Sequence, residues 1–378
     1  MMLIALLVLG TLWLGWSNGA NDNFKGVATL YGSRMLNYRA ALAWATVTTV
    51  AGSVVAALLA HGLTKTFSIQ GIIGAELVND RTLAAVGLAA AATILLATLL
   101  GMPTSTTHAL IGALFGAALV ADPAGINTSV LLNKFAQPML LSPPLAIALT
   151  AGIYMVVHRL RVRSGITSQS CLCVGNARPV PVLVGVLDPA CVAMSGQLEV
   201  VSGTTEVCVD RYRGQVLGVD AQTTVDVLHY MSAGAVCFAR AMNDTPKIAA
   251  ILLSATALGA GVGQPGVLGL VTLAVALGGW LQSRRVAETM SRRITDLNTG
   301  QGLTANLVTA ALVLGASRLG LPVSTTHVSC GAIFGISAVN GKRDWRTIGQ
   351  ILAAWATTLP MGLALGAGLY WLLRNPGV

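Results

Sequence analysis

The sequence contains few charged residues. Only 10% of its 378 residues are Asp, Glu, Lys or Arg, and 5% are aromatic, whereas 54% are hydrophobic. About a quarter of the residues of a soluble globular domain are charged. This shortage of charged residues excludes an ordinary soluble protein and predicts an all-α polytopic membrane protein. The 42 glycines fit helices that pack closely through small residues.

Two further absences narrow the interpretation. The first apolar run has no basic region and no small-residue cleavage site, so we expect a first membrane span, not a signal peptide. The net charge is +9, but the basic residues are not interleaved with aromatic residues, so nucleic acid is not an expected partner. The arginines stand beside apolar runs, where they mark the cytoplasmic side.

Apolar runs of about 20 residues, the length of a membrane crossing, recur in two series. We expect about five spans in each half, ten to twelve in all. The predicted domains are a first membrane repeat (1–160), a cytoplasmic insert (161–224) and a second, inverted membrane repeat (225–378). The runs lie near 2–18, 40–60, 83–101, 104–121 and 136–157, and near 226–240 with 248–260, 265–282, 303–318, 323–340 and 348–373.

The insert is the least membrane-like part of the chain. Segments 179–188 and 198–210 have the β-branched composition of short strands, which predicts a small β-rich domain. Its cysteines are Cys171, Cys173, Cys191 and Cys208. Their spacing is not a standard zinc pattern, so two interpretations stay open: a metal or iron–sulfur site, and plain or redox-sensitive thiols.

An Asn-Asp-Lys motif occurs twice beside apolar runs. Asn21, Asp22 and Lys25 in GANDNFKG are repeated 222 positions later in AMNDTPKI, as Asn243, Asp244 and Lys247. A charged side chain within a membrane costs several kcal/mol and usually lines an ion pathway. Glycines around the first copy and Pro246 in the second predict a break in the helix at each motif.

A second motif is also duplicated. PTSTTHALIGALFGA (103–117) and PVSTTHVSCGAIFGI (322–336) share an offset of 219. Each predicts a capped helix N-terminus, which can bind an oxyanion through free N–H groups. The alternative is that the hydroxyls only cap the helices. His108 and His327 could serve in proton transfer or in a structural hydrogen bond.

The basic segments predict how the two halves enter the membrane. Arg34 with Arg39 and the segments 158–163, 284–293 and 342–346 fall on one face if the N-terminus is outside. With five spans in each half, the second copy is then upside down. Inverted repeats with broken helices are typical of secondary transporters.

The paired Asn-Asp and Ser-Thr-Thr-His motifs resemble the inorganic phosphate transporter family known as PiT. The resemblance covers both membrane halves and not the insert. It implies a homodimer that moves phosphate with sodium or protons. It also implies that Asn21, Asp22, Asn243 and Asp244 form the coupling region and that six hydroxyl residues bind the anion, namely Ser105, Thr106, Thr107, Ser324, Thr325 and Thr326.

The chain departs from that family in both Asn-Asp motifs. Typical members read GANDVANA, with Asn where this chain has Lys25 and Lys247, and in the second motif HGAND is replaced by Arg240, Ala241 and Met242 before Asn243. Two ammonium groups would repel sodium and attract an anion. The sequence therefore predicts sodium-independent transport, and a lysine that releases its proton in one conformation offers a route to proton coupling.

We therefore predict a phosphate transporter of the cytoplasmic membrane, without enzymatic activity and without a cofactor in its membrane part. A permease for sulfate or another tetrahedral oxyanion is the nearest alternative, and an uncoupled anion channel is another. A distant alternative is an intramembrane aspartyl protease using Asp22 and Asp244. The adjacent lysines argue against it, because such a dyad must share a proton.

Overall fold

The computed structural model describes residues 1–59, 73–176, 198–204, 217–255, 263–321 and 323–375. Long α-helices dominate this part of the chain. In the first half they are α1 (Met2–Asp22), α2 (Tyr38–Leu59), α3 (Asp80–Leu99), α4 (Thr106–Ala121) and α5 (Gln137–Arg163). In the second half they are α6 (Ala221–Leu253), α7 (Gln264–Gln282), α8 (Thr299–Arg318), α9 (Thr325–Asn340) and α10 (Trp345–Arg374).

Shorter helical turns connect these helices. A 3₁₀ turn, Lys25–Val27, and the short helix Ala28–Gly32 follow α1, and a π-helical stretch, Leu131–Ala136, leads into α5. The short helix Arg284–Glu288 and a second π-helical stretch, Thr289–Arg293, follow α7. Further single turns lie at Ala75–Leu77, Pro123–Gly125 and Thr128–Val130.

Two pairs of helices match the offset between the duplicated motifs. Helix α8 begins and ends 219 residues after α3, and α9 begins and ends 219 residues after α4. The local structure of the two halves therefore agrees with an internal duplication. Their inverted orientation stays a prediction.

Six segments of the described chain are long and apolar enough to cross a membrane. They contain α1, α2, α3, α5, α7 and α10. Helices α4 and α9 have only 16 residues each, fewer than the roughly 20 that span hydrocarbon, and α6 carries the second Asn-Asp motif. The chain is therefore a multi-pass membrane protein, and ten crossings remain a prediction.

The structure does not show the predicted helix break at the second Asn-Asp motif. Helix α6 is continuous from Ala221 to Leu253 with Pro246 inside it, so that prediction is wrong. Proline is tolerated within membrane helices where neighbouring groups satisfy the freed backbone, and α6 is buried on both sides of Pro246. The first motif does end a helix, because α1 stops at Asp22 and a 3₁₀ turn follows.

Glycines bring helices of the two halves into backbone contact. A Cβ atom at Gly116 of α4 would lie 2.0 Å from the carbonyl oxygen of Leu363 in α10, and one at Gly366 of α10 would lie 2.2 Å from that of Ala113. In the same way, a Cβ atom at Gly335 of α9 would lie 2.6 Å from the carbonyl oxygen of Ile147 in α5. Each helix that follows a Ser-Thr-Thr-His motif therefore packs against the last helix of the other half.

The chain divides into two compact units, Met1–Tyr154 with His229–Val378, and Met155–Leu228. The smaller unit contains an antiparallel sheet in the order β2-β1-β3, formed by β1 (Ser170–Asn176), β2 (Leu198–Thr204) and β3 (Leu217–Asp220). Strand β2 falls within one predicted strand segment, 198–210. The other, 179–188, lies outside the described residues, and sequence reasoning missed β1 and β3.

Candidate functional site

The structure buries every predicted membrane-site residue. Exposed fractions of the two Asn-Asp-Lys sets and the two hydroxyl sets range from 0% to 4%. The first set lies at the end of α1 and in the following turn, and the second lies in the middle of α6. The hydroxyl sets form the starts of α4 and α9. Hydrogen bonds connect all four segments.

Lys25 joins the two halves. Its ammonium group pairs with Asp22 Oδ1 and donates to Thr326 Oγ1 of the second half. It also donates to the carbonyl oxygen of Thr104, at 2.9 Å. A lysine of the first motif therefore contacts one hydroxyl residue of the second half and the backbone before the first Ser-Thr-Thr-His motif.

Lys247 makes the corresponding contacts. Its ammonium group pairs with Asp244 Oδ1 at 3.4 Å and donates to Thr107 Oγ1 at 3.0 Å and to the carbonyl oxygen of Val323 at 3.1 Å. Thr107 and Thr326 are equivalent under the offset of 219, and so are Thr104 and Val323. The two lysines thus cross between the halves in matching ways, which we call the crossed lysine contacts.

The remaining carboxylate oxygens are also occupied. Asp22 Oδ2 accepts from Asn18 Nδ2 at 3.2 Å and from Thr106 Oγ1 at 3.4 Å. Asp244 Oδ2 accepts from Thr325 Oγ1 at 3.1 Å, the equivalent threonine. Each aspartate is therefore held by its own lysine and by one threonine of its own half. This arrangement differs from the pair of carboxylates sharing one proton that an aspartyl protease needs.

The two asparagines differ in how they are satisfied. Asn21 Nδ2 donates to Thr98 Oγ1 at 2.8 Å and to the carbonyl oxygen of Met102 at 3.0 Å, and Asn21 Oδ1 accepts from the Thr104 amide at 3.0 Å. Asn243 Nδ2 donates to the Val323 carbonyl oxygen at 3.1 Å. Asn243 Oδ1 has no hydrogen-bond partner among the described residues, so the site retains a buried free acceptor.

The serines cap the two helices, as the motif predicts. Ser105 Oγ accepts from the His108 amide at 3.2 Å, and Ser324 Oγ accepts from the His327 amide at 3.2 Å. Each hydroxyl hydrogen is still free to donate to an anion. Both helices begin inside the buried cluster, so their partially positive ends lie within it.

The two motif histidines contact each other. The His108 and His327 ring centroids are 4.6 Å apart, and the His327 ring also packs on Trp355 at 4.0 Å. Trp355 Nε1 donates to the carbonyl oxygen of Pro103 at 3.1 Å. His108 Nδ1 is buried without a hydrogen-bond partner in the part of the chain that the structure describes. The pair is therefore a contact between equivalent residues of the two halves.

Sequence reasoning missed two residues of the site. Asn18 donates to Thr106 Oγ1 at 2.8 Å, and Arg240, which is 2% exposed, donates to Asn18 Oδ1 at 3.3 Å. Positions 18 and 240 are equivalent under the motif offset of 222. That equivalence, together with the departure from HGAND, was the signal in the sequence that could have identified both residues.

The metal site proposed for the insert stays a prediction. Cys171 is a buried free thiol in β1. Cys191, Cys208 and the side chain of Cys173 lie outside the described residues. Among the residues that are described, no group of three or more His, Cys, Asp or Glu side chains is placed to hold a metal ion.

Comparison with known proteins relates this chain to phosphate transporters. The model of the phosphate transporter family matches residues 18–366. An inorganic phosphate transporter of Arabidopsis thaliana chloroplasts is 27% identical over 98% of this chain and 72% of its own length. A probable low-affinity inorganic phosphate transporter of Bacillus subtilis is 27% identical over 99% of this chain and 98% of its own. A solved structure described as the sodium-dependent phosphate transporter shares the fold, with a TM-score of 0.74, 21% identity and 99% of both chains covered.

Proposed function

The chain belongs to the phosphate transporter family, and from this membership we propose that it is a secondary active transporter of inorganic phosphate in the cytoplasmic membrane. The observation that supports this proposal is the crossed lysine contacts. Ammonium groups and hydroxyls from both halves meet in one buried cluster, and charge-assisted donors of this kind suit a tetrahedral oxyanion. The proposed substrate ligands are the six hydroxyl residues at the starts of α4 and α9.

We propose that the halves are inverted repeats, with domains 1–160, 161–224 and 225–378, and that the protein forms a homodimer. The matching contacts of Lys25 and Lys247 support two related halves. An internal twofold axis would pass between equivalent residues that touch, such as His108 and His327. The oxyanion site would then lie at the interface of the repeats, where inverted-repeat carriers bind substrate.

We further propose that transport is coupled to protons and does not need sodium. The solved relative is described as sodium-dependent. In this chain, ammonium groups occupy the two positions where typical members have Asn. Lys25 and Lys247 already neutralise the two aspartates that a sodium ion would need. A lysine that releases its proton in one conformation would offer the route to proton coupling.

The test is initial uptake of labelled phosphate into proteoliposomes, with sulfate and arsenate as competitors. Sodium and pH gradients are varied separately, and choline replaces sodium. We expect equal phosphate uptake in choline and in sodium, stimulation by an inward proton gradient, and weak competition by sulfate. Uptake of sulfate without phosphate would refute the substrate, and conductance without coupling would indicate a channel.

A matched variant tests the sodium proposal alone. Lys25→Asn with Lys247→Asn restores the residue of typical members at both positions. We expect sodium dependence to appear only in this double variant. Strict sodium dependence of the wild type would refute the proposal while leaving phosphate transport intact.

A further inference from the structure

A groove of about 470 Å³ lies between α3 and α10. The residues that line it are mainly small or apolar, among them Leu96, Ala97, Ala353, Ala354 and Met361. Leu96 and Met361 are exposed, and both helices belong to segments that are long and apolar enough to cross a membrane. The groove therefore opens toward the hydrocarbon of the bilayer.

The hydroxyl groups in this groove are already used by the helices that carry them. Thr93, Thr357 and Thr358 each donate to the carbonyl oxygen four residues earlier in the same helix, at 2.8, 2.9 and 2.6 Å. A polar ligand would therefore find no unused hydroxyl donor on these three residues, and burying it there would cost free energy. The acyl chain of a lipid needs no hydrogen bonds, so it matches this lining.

The groove is separate from the candidate phosphate site. Thr358 lines the groove and hydrogen-bonds to Thr104 through the two hydroxyls, and the Thr104 carbonyl oxygen accepts from Lys25. Met102, which also lines the groove, presents its carbonyl oxygen to Asn21. Among the described residues, none of the six proposed phosphate ligands lines the groove. A ligand in the groove is therefore independent of the proposed function.

A basic segment holds one end of the groove together. Arg285 Nη1 donates to the carbonyl oxygen of Leu99, the last residue of α3. The Ile294 carbonyl oxygen accepts from the amide of Asp344, the N-cap of α10, at 3.3 Å. Residues 284–294 therefore contact both the end of α3 and the start of α10, and we call this the basic end of the groove.

Two arginines of the basic end adjoin the groove lining. Arg285 contacts Leu99, which precedes the lining residue Leu100. Arg346 lies about one helical turn before Gln350, a lining residue of α10, and on the same face of that helix. Both arginines are exposed. A guanidinium has five N–H donors and suits bidentate binding of phosphate, so the one bond to Leu99 leaves Arg285 able to bind a phosphate group.

The charge of the basic end favours one kind of occupant. Segments 284–296 and 342–346 contain seven basic and three acidic residues. Basic pockets between membrane helices on the cytoplasmic side bind anionic lipid headgroups. A second copy of the chain fits less well, because a twofold axis along the membrane normal would place two basic ends side by side. An anionic lipid instead brings the opposite charge together with an acyl chain.

We propose that this groove binds an anionic phospholipid, with one acyl chain between α3 and α10 and the phosphate group on Arg285 and Arg346. The lipid belongs to the leaflet on the side of the basic segments, which we predict to be cytoplasmic. The simpler role of Arg285 is to cap α3 by donating to its last carbonyl oxygen. The two roles differ in whether the arginine selects a lipid.

Photo-crosslinking in membranes of defined composition tests the site. The full chain is reconstituted into phosphatidylcholine vesicles that contain a small fraction of phosphatidylglycerol with a diazirine on its acyl chain. The control carries the same diazirine on phosphatidylcholine. Mass spectrometry identifies the labelled residues, and the mole fraction of probe at half-maximal labelling measures its affinity. We expect phosphatidylglycerol to label the groove lining at a much lower mole fraction than phosphatidylcholine does.

The headgroup contact is tested by removing both arginines. Arg285→Gln with Arg346→Gln should raise the mole fraction of phosphatidylglycerol needed by about 25-fold, which corresponds to roughly fivefold for each arginine. Labelling by phosphatidylcholine should not change. Arg374→Gln is the matched control, because Arg374 lies at the other end of α10 and also donates to a carbonyl oxygen near a helix end, that of Val120 at 3.3 Å. This variant should retain the preference for phosphatidylglycerol.

The acyl-chain contact is tested by filling the groove. Ala353→Phe places a large side chain in the lining and keeps both arginines. It should prevent labelling of the groove by either lipid. Ala356→Phe is the control, because Ala356 is an exposed residue of the same helix outside the groove lining, and it should leave the labelling unchanged.

Several results would overturn the proposal. Equal labelling of the groove by the two lipids would remove the headgroup preference, and a preference retained in Arg285→Gln with Arg346→Gln would leave Arg285 as a cap only. Absence of groove labelling by either lipid would overturn the site itself, as expected if a second copy of the chain covers it. Selective labelling by phosphatidylglycerol in a protein that fails to take up phosphate would support the lipid site while refuting the proposed function.

Discussion

The Asp22–Lys25 pair allows a stability prediction to be separated from a transport prediction. Asp22 is 0% exposed and Lys25 is 3% exposed. Asp22→Asn removes the charge that compensates Lys25 and leaves the ammonium with two neutral acceptors, the Thr104 carbonyl oxygen and Thr326 Oγ1. Breaking a buried pair from one side costs about 3–5 kcal/mol. We expect Asp22→Asn to lower the free energy of unfolding by that amount and to abolish phosphate uptake.

The double variant tests the cause. Replacing both members of a buried ion pair with neutral groups is often close to neutral. Asp22→Asn with Lys25→Gln should therefore be about 2–4 kcal/mol more stable than Asp22→Asn alone. Uptake should stay absent, because the Asp22 carboxylate is still missing. The double variant would thus regain stability and would still not take up phosphate.

The assay combines unfolding in mixed detergent micelles with labelled phosphate uptake in proteoliposomes. Membrane insertion of each variant is verified before either measurement. The same cycle at Asp244 and Lys247 is the matched control, since those residues make equivalent contacts. Additive destabilisation, with the double variant as unstable as the sum of the singles, would refute the ion-pair reasoning. Wild-type uptake by Asp22→Asn would remove the aspartate from the mechanism.

Three further predictions concern caps and packing. Ser105→Ala and Ser324→Ala should weaken anion binding by about 1.5–3 kcal/mol each. Ser105→Gly is the control, because glycine preserves a helix cap within a few tenths of a kcal/mol. If Ser105→Gly binds the anion as the wild type does, the hydroxyl is only a cap. Gly278→Ala should lower the thermal unfolding midpoint, because its Cβ atom would lie 1.9 Å from the Trp16 carbonyl oxygen, whereas Gly269→Ala in the same helix meets nothing within 4 Å and should not. Asp344 caps α10, and the hydrogen bond that it accepts from Thr347 lowers the pKa of its carboxyl below the ordinary 3.8. The stability lost in Asp344→Ala should therefore be constant from neutral to mildly acidic pH and should disappear only as the pH falls below that value. A stability difference that changes near neutral pH would contradict this origin.

The sequence predicted the helices well because a membrane span needs a long apolar run, and duplication doubled the signal. Helices α4 and α9 begin just after the serines that the motif marks as caps. The continuity of α6 through Pro246 could not be read locally, because the packing around a proline decides whether its helix persists.

The crossed lysine contacts could not be predicted from the sequence. Lys25 and Thr326 are 301 residues apart, and local spacing carries no information about which threonine a lysine reaches. Arg240 was missed as a site residue because the arginines of this chain were interpreted as marking the sides of the membrane. Only its equivalence to Asn18 and its burial distinguish it from those residues.

The exchange of helices between the halves constrains the mechanics of transport. Helix α4 lies backbone to backbone against α10, and α9 lies in the same way against α5. If one half rocked as a rigid block against the other, the helices in both of these glycine contacts would have to separate. Side-chain rotamer changes could not make room for that movement, because the backbones of these helices are in direct contact. In an alternating-access cycle, a moving body would therefore have to keep α4 with α10 and α5 with α9. Its boundary would then differ from the boundary between the two copies of the duplicated sequence.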